Sequence, residues 1–293
     1  MKKFKGTGAA LVTPFRNDRR VDFGAIEKLV NHCIDGGIDY FVAMGTTGES
    51  ATLTADEKNA VLESIKEANS GRLPIVLGIG GNDTLEIERQ MRNQDFNGID
   101  AILSVSPYYN KPTQEGIVGH YKYLADHAPK PIIMYNVPGR TASNMSTETT
   151  LELADHENII AIKEAGGDLN QIMEIIKNKP RSFEVISGDD GLTLPMIAAG
   201  GFGVISVIGQ AFPEPFTKMV NAALKGSFKK ARKEHYQLWD TTGLLYEEGN
   251  PAGVKLALEI QGIMESKVRM PLVSGSADLK SRLTTAMKLA KLI

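Results

Sequence analysis

The sequence has one cysteine, Cys33, and one tryptophan among 293 residues. A lone cysteine cannot form an intrachain disulfide, which points away from an oxidising compartment and toward the cytoplasm. Cys33 stands in the apolar-periodic stretch AIEKLVNHCID, where it reads as a small buried residue rather than a nucleophile. The five histidines (His32, His120, His127, His156 and His235) form no HxH or HExxH arrangement. Only His120 and His127 could share a helix face, so no metal site is expected. No apolar run approaches the roughly 18–20 residues that span a bilayer. The basic start MKKFKGTGAALVTPF is short in apolar residues and ends in Thr-Pro, so it reads as a first strand and not a signal peptide. A net charge of −2 leaves no electrostatic footprint for nucleic acid or an anionic membrane.

What the chain does have is a recurrent unit. Short, nearly continuous apolar runs appear at 7–15, 38–44, 73–80, 99–107, 131–137, 159–163, 183–188 and 202–208. Such runs suit parallel strands buried on both faces. They begin about 19 to 35 residues apart, room for a right-handed crossover helix each time. Helix signals fill the gaps. Thr54-Ala-Asp-Glu57 is a capping box, Ser70-Gly71 a stop, and Asp83 and Asp168 stand before helical runs. Eight units predict an α/β fold, a (β/α)8 TIM barrel; an open doubly wound sheet is the alternative. Beyond residue 212 only helical patterns remain, which predicts a catalytic barrel over 1–211 and a C-terminal helical region over 212–293.

In such a barrel, the carboxyl ends of the strands and the loops after them build the active site. That rule gathers Gly45-Thr46-Thr47-Gly48-Glu49, Tyr108-Tyr109, Tyr135, Lys163, Gly188-Asp189-Asp190 and Ile205 on one rim. Lys163 follows Ile159-Ile160-Ala161-Ile162 directly, which puts its amine at the mouth of an apolar barrel. Desolvation there disfavours the ammonium and frees the amine to attack a carbonyl. A lysine snorkelling to water is the plainer reading. Tyr135, one strand earlier, could shuttle the protons that carbinolamine chemistry requires, although taken alone a tyrosine there reads first as a core residue with a satisfied hydroxyl. The GTTGE turn offers hydroxyls and amides to a small anion, or is a plain tight turn. It lacks the phosphate-loop pattern, and Gly78-Ile79-Gly80-Gly81 does not make a dinucleotide fingerprint.

Gly45-Thr46-Thr47-Gly48-Glu49, Tyr135-Asn-Val-Pro138-Gly-Arg140-Thr and Ile162-Lys163-Glu164 stand in the order and spacing of a known group. The chain resembles the pyruvate-dependent class I aldolases, the superfamily of N-acetylneuraminate lyase and dihydrodipicolinate synthase. SPYYNKP and YNVPGRT are most similar to the dihydrodipicolinate synthase branch. The resemblance covers essentially the whole chain and implies a condensation of pyruvate with L-aspartate 4-semialdehyde, without metal or organic cofactor. Lys163 would form a Schiff base with pyruvate. Tyr135, Thr46 and Tyr109 would form a proton relay, Tyr109 reaching into a neighbouring subunit. Thr47, Ile205 and Gly188 would bind substrate, and Arg140 would hold the carboxylate of the aldehyde. The resemblance further implies a homotetramer built as a dimer of dimers.

It also implies an effector position for L-lysine near Ser50, Ala51, Ala55, Lys58, Asn82, Glu86 and Tyr108. Ala55 and Lys58 replace the histidines of the strongly sensitive pattern, and a Lys58 ammonium would repel the ligand's own or pair with Glu86. Weak or absent lysine feedback is therefore expected. An aldolase acting on a sialic acid or a 2-keto-3-deoxy sugar acid is the nearest alternative, and Arg140 argues against it. A non-catalytic scaffold barrel, or a phosphate-binding one using Gly200-Gly201-Phe202-Gly203, finds no support in the remaining residues.

Overall fold

The computed structural model describes residues 1–293. Eight strands, β1 (Gly6–Ala10), β2 (Tyr40–Ala43), β3 (Ile75–Gly78), β4 (Ala101–Val105), β5 (Ile132–Asn136), β6 (Ile159–Glu164), β7 (Glu184–Ser187) and β8 (Gly203–Ser206), close into a parallel barrel in sequence order. The helices are α1 (Phe23–Asp35), α2 (Ala55–Asn69), α3 (Thr84–Asn93), α4 (Gln114–His127), α5 (Pro138–Thr141), α6 (Thr147–Ala154), α7 (Leu169–Asn178) and α8 (Thr193–Ala198). They are followed by α9 (Pro213–Leu224), α10 (Phe228–Glu247), α11 (Ala252–Ile260) and α12 (Ala277–Leu289). The fold is a (β/α)8 TIM barrel with a C-terminal helical extension. None of its helices is long and apolar enough to cross a membrane.

The helix starts follow the local chemistry. Thr54 and Glu57 form the capping box of α2, and the side chains of Asp83 and Asp168 accept from the first amides of α3 and α7. Each satisfies amides that the helix itself leaves unpaired. The strands divide the core in two. One set of side chains (among them Tyr40, Val76, Leu103, Ile133 and Ile186) fills the barrel, and a larger set packs the strands against the helices. Phe4 closes the amino end of the barrel, edge-on to Tyr40 at 5.5 Å between ring centroids.

One expectation shifts. The first strand, read as 7–15, stops at Ala10. Beyond it the Gln210 side chain takes over the ladder, donating to the Ala10 carbonyl at 2.7 Å and accepting from the Val12 amide at 2.8 Å. Helix α9, just beyond the boundary expected at 211, packs on β1, β8 and α1 as the outer helix of the eighth unit. Helices α10, α11 and α12 pack on one another and return to the barrel through α8 and α9.

Candidate active site

At the carboxyl end of the barrel, one continuous cavity of about 700 Å³ runs from Lys163 and Tyr135 outward to Glu86 and Arg89. Lys163 lies between Tyr135 and Ile186 in strand register, only 7% exposed. Its Nζ sits 4.2 Å from the centroid of the Tyr135 ring, a place where the π-face favours a cation. The lysine stem passes over Gly188. A Cβ there would come within 2.9 Å of Lys163 Cε, so only glycine leaves the stem its path.

Opposite the lysine, Thr46–Gly48 form a single 3-10 turn closed by Glu49 in a left-handed conformation (φ 53°). Thr47 is buried, and its hydroxyl accepts from Asn250 Nδ2 at 2.9 Å. That leaves the Thr47 proton free to donate to a bound anion. Thr46 lines the same wall but is exposed. Pro138 and Gly139 begin α5, a single helical turn with proline at its first position. The turn presents Arg140 to solvent at the mouth, with Nη2 3.4 Å from the Asn250 carbonyl.

Three buried acids flank these groups. Glu164, beside Lys163, accepts from Asn136 Nδ2 at 3.1 Å and from the Gly166 amide at 2.7 Å. Burial pushes its carboxyl up to about 7 against those hydrogen bonds. Asp190, after β7, accepts from Ser206 Oγ, the Val207 and Ile208 amides and the Tyr246 hydroxyl. Burial raises its pKa, and burial, then the Asp190 charge, raises that of Tyr246. Glu49 meets Lys255 Nζ at 2.5 Å in the buried interior.

The structure thus brings Lys163, Tyr135, Thr46, Thr47 and Arg140 to one cavity. Gly188 contributes clearance beneath Lys163, and Ile205 lies in the barrel interior, neither on the cavity lining. Tyr109 does not reach the cavity of its own chain; it stands 89% exposed with φ 72°. Of the candidate effector residues, Ser50, Ala51, Ala55, Lys58, Glu86 and Tyr108 line the cavity's outer part. Asn82 sits just outside it, donating to the Tyr108 carbonyl at 3.0 Å. The imagined Lys58–Glu86 pair is absent. Glu86 instead accepts from Arg89 at 2.6 Å and Gln90 at 3.2 Å, its neighbours one helical turn on, which are closer than a side chain from another helix.

Sequence reasoning missed Asn250 and Lys255, because partners about 200 residues apart leave no local pattern. The one legible hint is a lysine inside the otherwise apolar helical run GVKLAL.

A buried lysine and a tyrosine on adjacent strands, facing an anion-ready turn at the carboxyl end of a (β/α)8 barrel, are the fittings of an aldolase-type lyase. The chain belongs to the dihydrodipicolinate synthetase family, whose sequence profile matches residues 3–290. It is 54% identical over 284 residues to the 4-hydroxy-tetrahydrodipicolinate synthase of Flavobacterium psychrophilum, covering 97% of each chain. To that of Parabacteroides distasonis it is 51% identical, over 92% of this chain and 91% of the relative. The dihydrodipicolinate synthase of Acinetobacter baumannii, solved in complex with pyruvate, superposes with a TM-score of 0.96 at 36% identity, over 99% of each chain.

Proposed function

We propose that the chain condenses pyruvate with L-aspartate 4-semialdehyde to 4-hydroxy-tetrahydrodipicolinate, through a Schiff base on Lys163, in lysine biosynthesis. The observation that carries the reading is the Lys163 amine, buried at the inner end of a cavity with a phenol beside it and an anion-ready turn opposite. Lys163 Nζ attacks the pyruvate ketone, and water leaves as the imine forms. Thr47 and the backbone at Ile205 hold the carboxylate and methyl end of pyruvate. Loss of a methyl proton gives the enamine, with the lysine nitrogen as electron sink. The enamine carbon attacks the aldehyde, whose carboxylate Arg140 grips at the cavity mouth. The amine of the adduct then closes the ring and expels Lys163. Tyr135 passes the protons, with Thr46 and the Tyr109 hydroxyl of a neighbouring subunit completing the path to solvent.

The near-complete exposure of Tyr109 supports that last role, since a tyrosine held outward at positive φ gains nothing in an isolated chain. It also supports a homo-oligomer with the dimer as the least unit holding a whole relay; we take the assembly to be a cytoplasmic dimer of dimers. L-Lysine inhibits this enzyme weakly or not at all. Turnover of L-aspartate 4-semialdehyde with pyruvate, compared with N-acetylmannosamine under the same conditions, tests the substrate. Preference for the amino sugar sinks the reading.

A further inference from the structure

The C-terminal extension reaches the Thr46–Gly48 turn at two points. Asn250, between α10 and α11, donates to the Thr47 hydroxyl. Five residues on, Lys255 of α11 donates to Glu49. The Lys255 and Glu49 side chains are 0% and 1% exposed, so this pair has no help from water. Both ends are nevertheless fully used. Lys255 Nζ also donates to the Lys267 carbonyl at 2.8 Å and lies 4.3 Å from the Phe15 ring centroid. The second oxygen of Glu49 accepts from the Arg269 amide at 2.9 Å. Arg269 in turn covers Phe15 at 4.6 Å and pairs with Glu57.

Glu49 is also the residue on which the turn depends. It closes the turn in the left-handed region, which a side chain with a Cβ enters only at a cost, and its amide donates to the Thr46 carbonyl. Its own carbonyl accepts from the Thr52 amide at 3.0 Å and hydroxyl at 3.1 Å. A strained residue persists where its surroundings over-determine it, and here they do so from the other end of the chain. Burying an ion pair is a poor route to stability, since apolar replacement of both partners is often neutral or better. Its presence directly behind an anion-ready turn calls for another account.

We infer that Lys255 is a positioning residue for pyruvate binding: through Glu49 it fixes the backbone of the Thr46–Gly48 turn in the shape that receives the carboxylate. Lys255 touches no substrate. The inference rests on the proposed role of Thr47, and its test is chosen to separate the two.

The double variant Glu49→Gln/Lys255→Met removes both buried charges at nearly constant volume, so it escapes the misfolding that an unpaired Glu49 invites in Lys255→Met alone. Wild type and double variant are titrated with pyruvate under borohydride, and the covalent adduct is followed by mass. The expected result is at least a tenfold rise in the pyruvate concentration giving half-maximal trapping, with KM for the aldehyde changed less than threefold. Unchanged pyruvate dependence in a folded double variant overturns the inference, as does an equal rise for both substrates, which marks a general structural loss. Failure of wild type to trap pyruvate defeats the proposed function itself, whatever the variant does. Glu49→Asp, which keeps the charge but shortens the reach, places the requirement on geometry if its pyruvate dependence shifts in the same direction, and overturns the positioning role if it binds like wild type.

Discussion

The two ends of the cavity are held in different ways. At the inner end four polar side chains are held from other elements: Thr47 by Asn250, Glu49 by Lys255, Glu164 by Asn136 and Asp190 by Tyr246. At the outer end Glu86 pairs along its own helix with Arg89, at partly exposed positions. Such helix-surface pairs contribute a few tenths of a kcal/mol and leave their members mobile. The inner end is preorganised for one ligand geometry, and the outer end is adaptable. Preorganisation is what the covalent chemistry proposed for Lys163 requires, because misplacement by an ångström costs orders of magnitude in rate.

This contrast can be broken at several points. Lys163→Ala should remove turnover by a factor of about 10⁴ or more while the barrel stays folded, measured by steady-state kinetics and circular dichroism. Retention of substantial activity would move the chemistry off the inner end. Arg140→Ala should raise KM for the aldehyde roughly 10- to 100-fold, the worth of a charge-assisted hydrogen bond, and leave pyruvate trapping intact. Loss of trapping too would show that Arg140 serves the imine site instead.

Glu164 gives a pH signature. Its folded carboxyl titrates at about 7 against an ordinary 4.5, so the native state holds a proton that the unfolded state has released between those values. The stabilisation is whole below about 4.5 and fades as pH rises toward 7. Glu164→Gln should flatten the wild-type fall in stability over that window by an amount on the order of 3 kcal/mol at most, read by denaturant unfolding at several pH values. Parallel curves for the two proteins would put the proton elsewhere. The smallest effect belongs to the outer end. Glu86→Ala should leave turnover within twofold, and L-lysine at micromolar concentration should inhibit neither protein. Micromolar inhibition of the wild type would contradict the reading of Lys58.

Much of this was legible in the sequence because barrel chemistry is local. Apolar runs of even spacing gave all eight strands, and the rule that strand ends face the site placed Lys163, Tyr135 and the GTTGE turn together. Caps at Thr54, Asp83 and Asp168 were legible for the same reason. Where a side chain replaces the backbone ladder, as Gln210 does beyond Ala10, periodicity overran the strand. The eighth barrel helix reads continuously with the extension because no further strand follows it. The supports from Asn250 and Lys255 cross the fold and have no spacing to read. Tyr109 stands exposed on the loop after β4, away from its own chain's cavity, and its proposed role depends on a second chain that no spacing in one sequence can show.

Trapping decides the central claim most directly. The enzyme is reduced with borohydride in the presence of pyruvate, digested, and its peptides weighed. The account predicts a single reduced pyruvyl adduct, carried by Lys163 and absent without pyruvate. An adduct on another lysine, or none in an enzyme that still turns over, would contradict it.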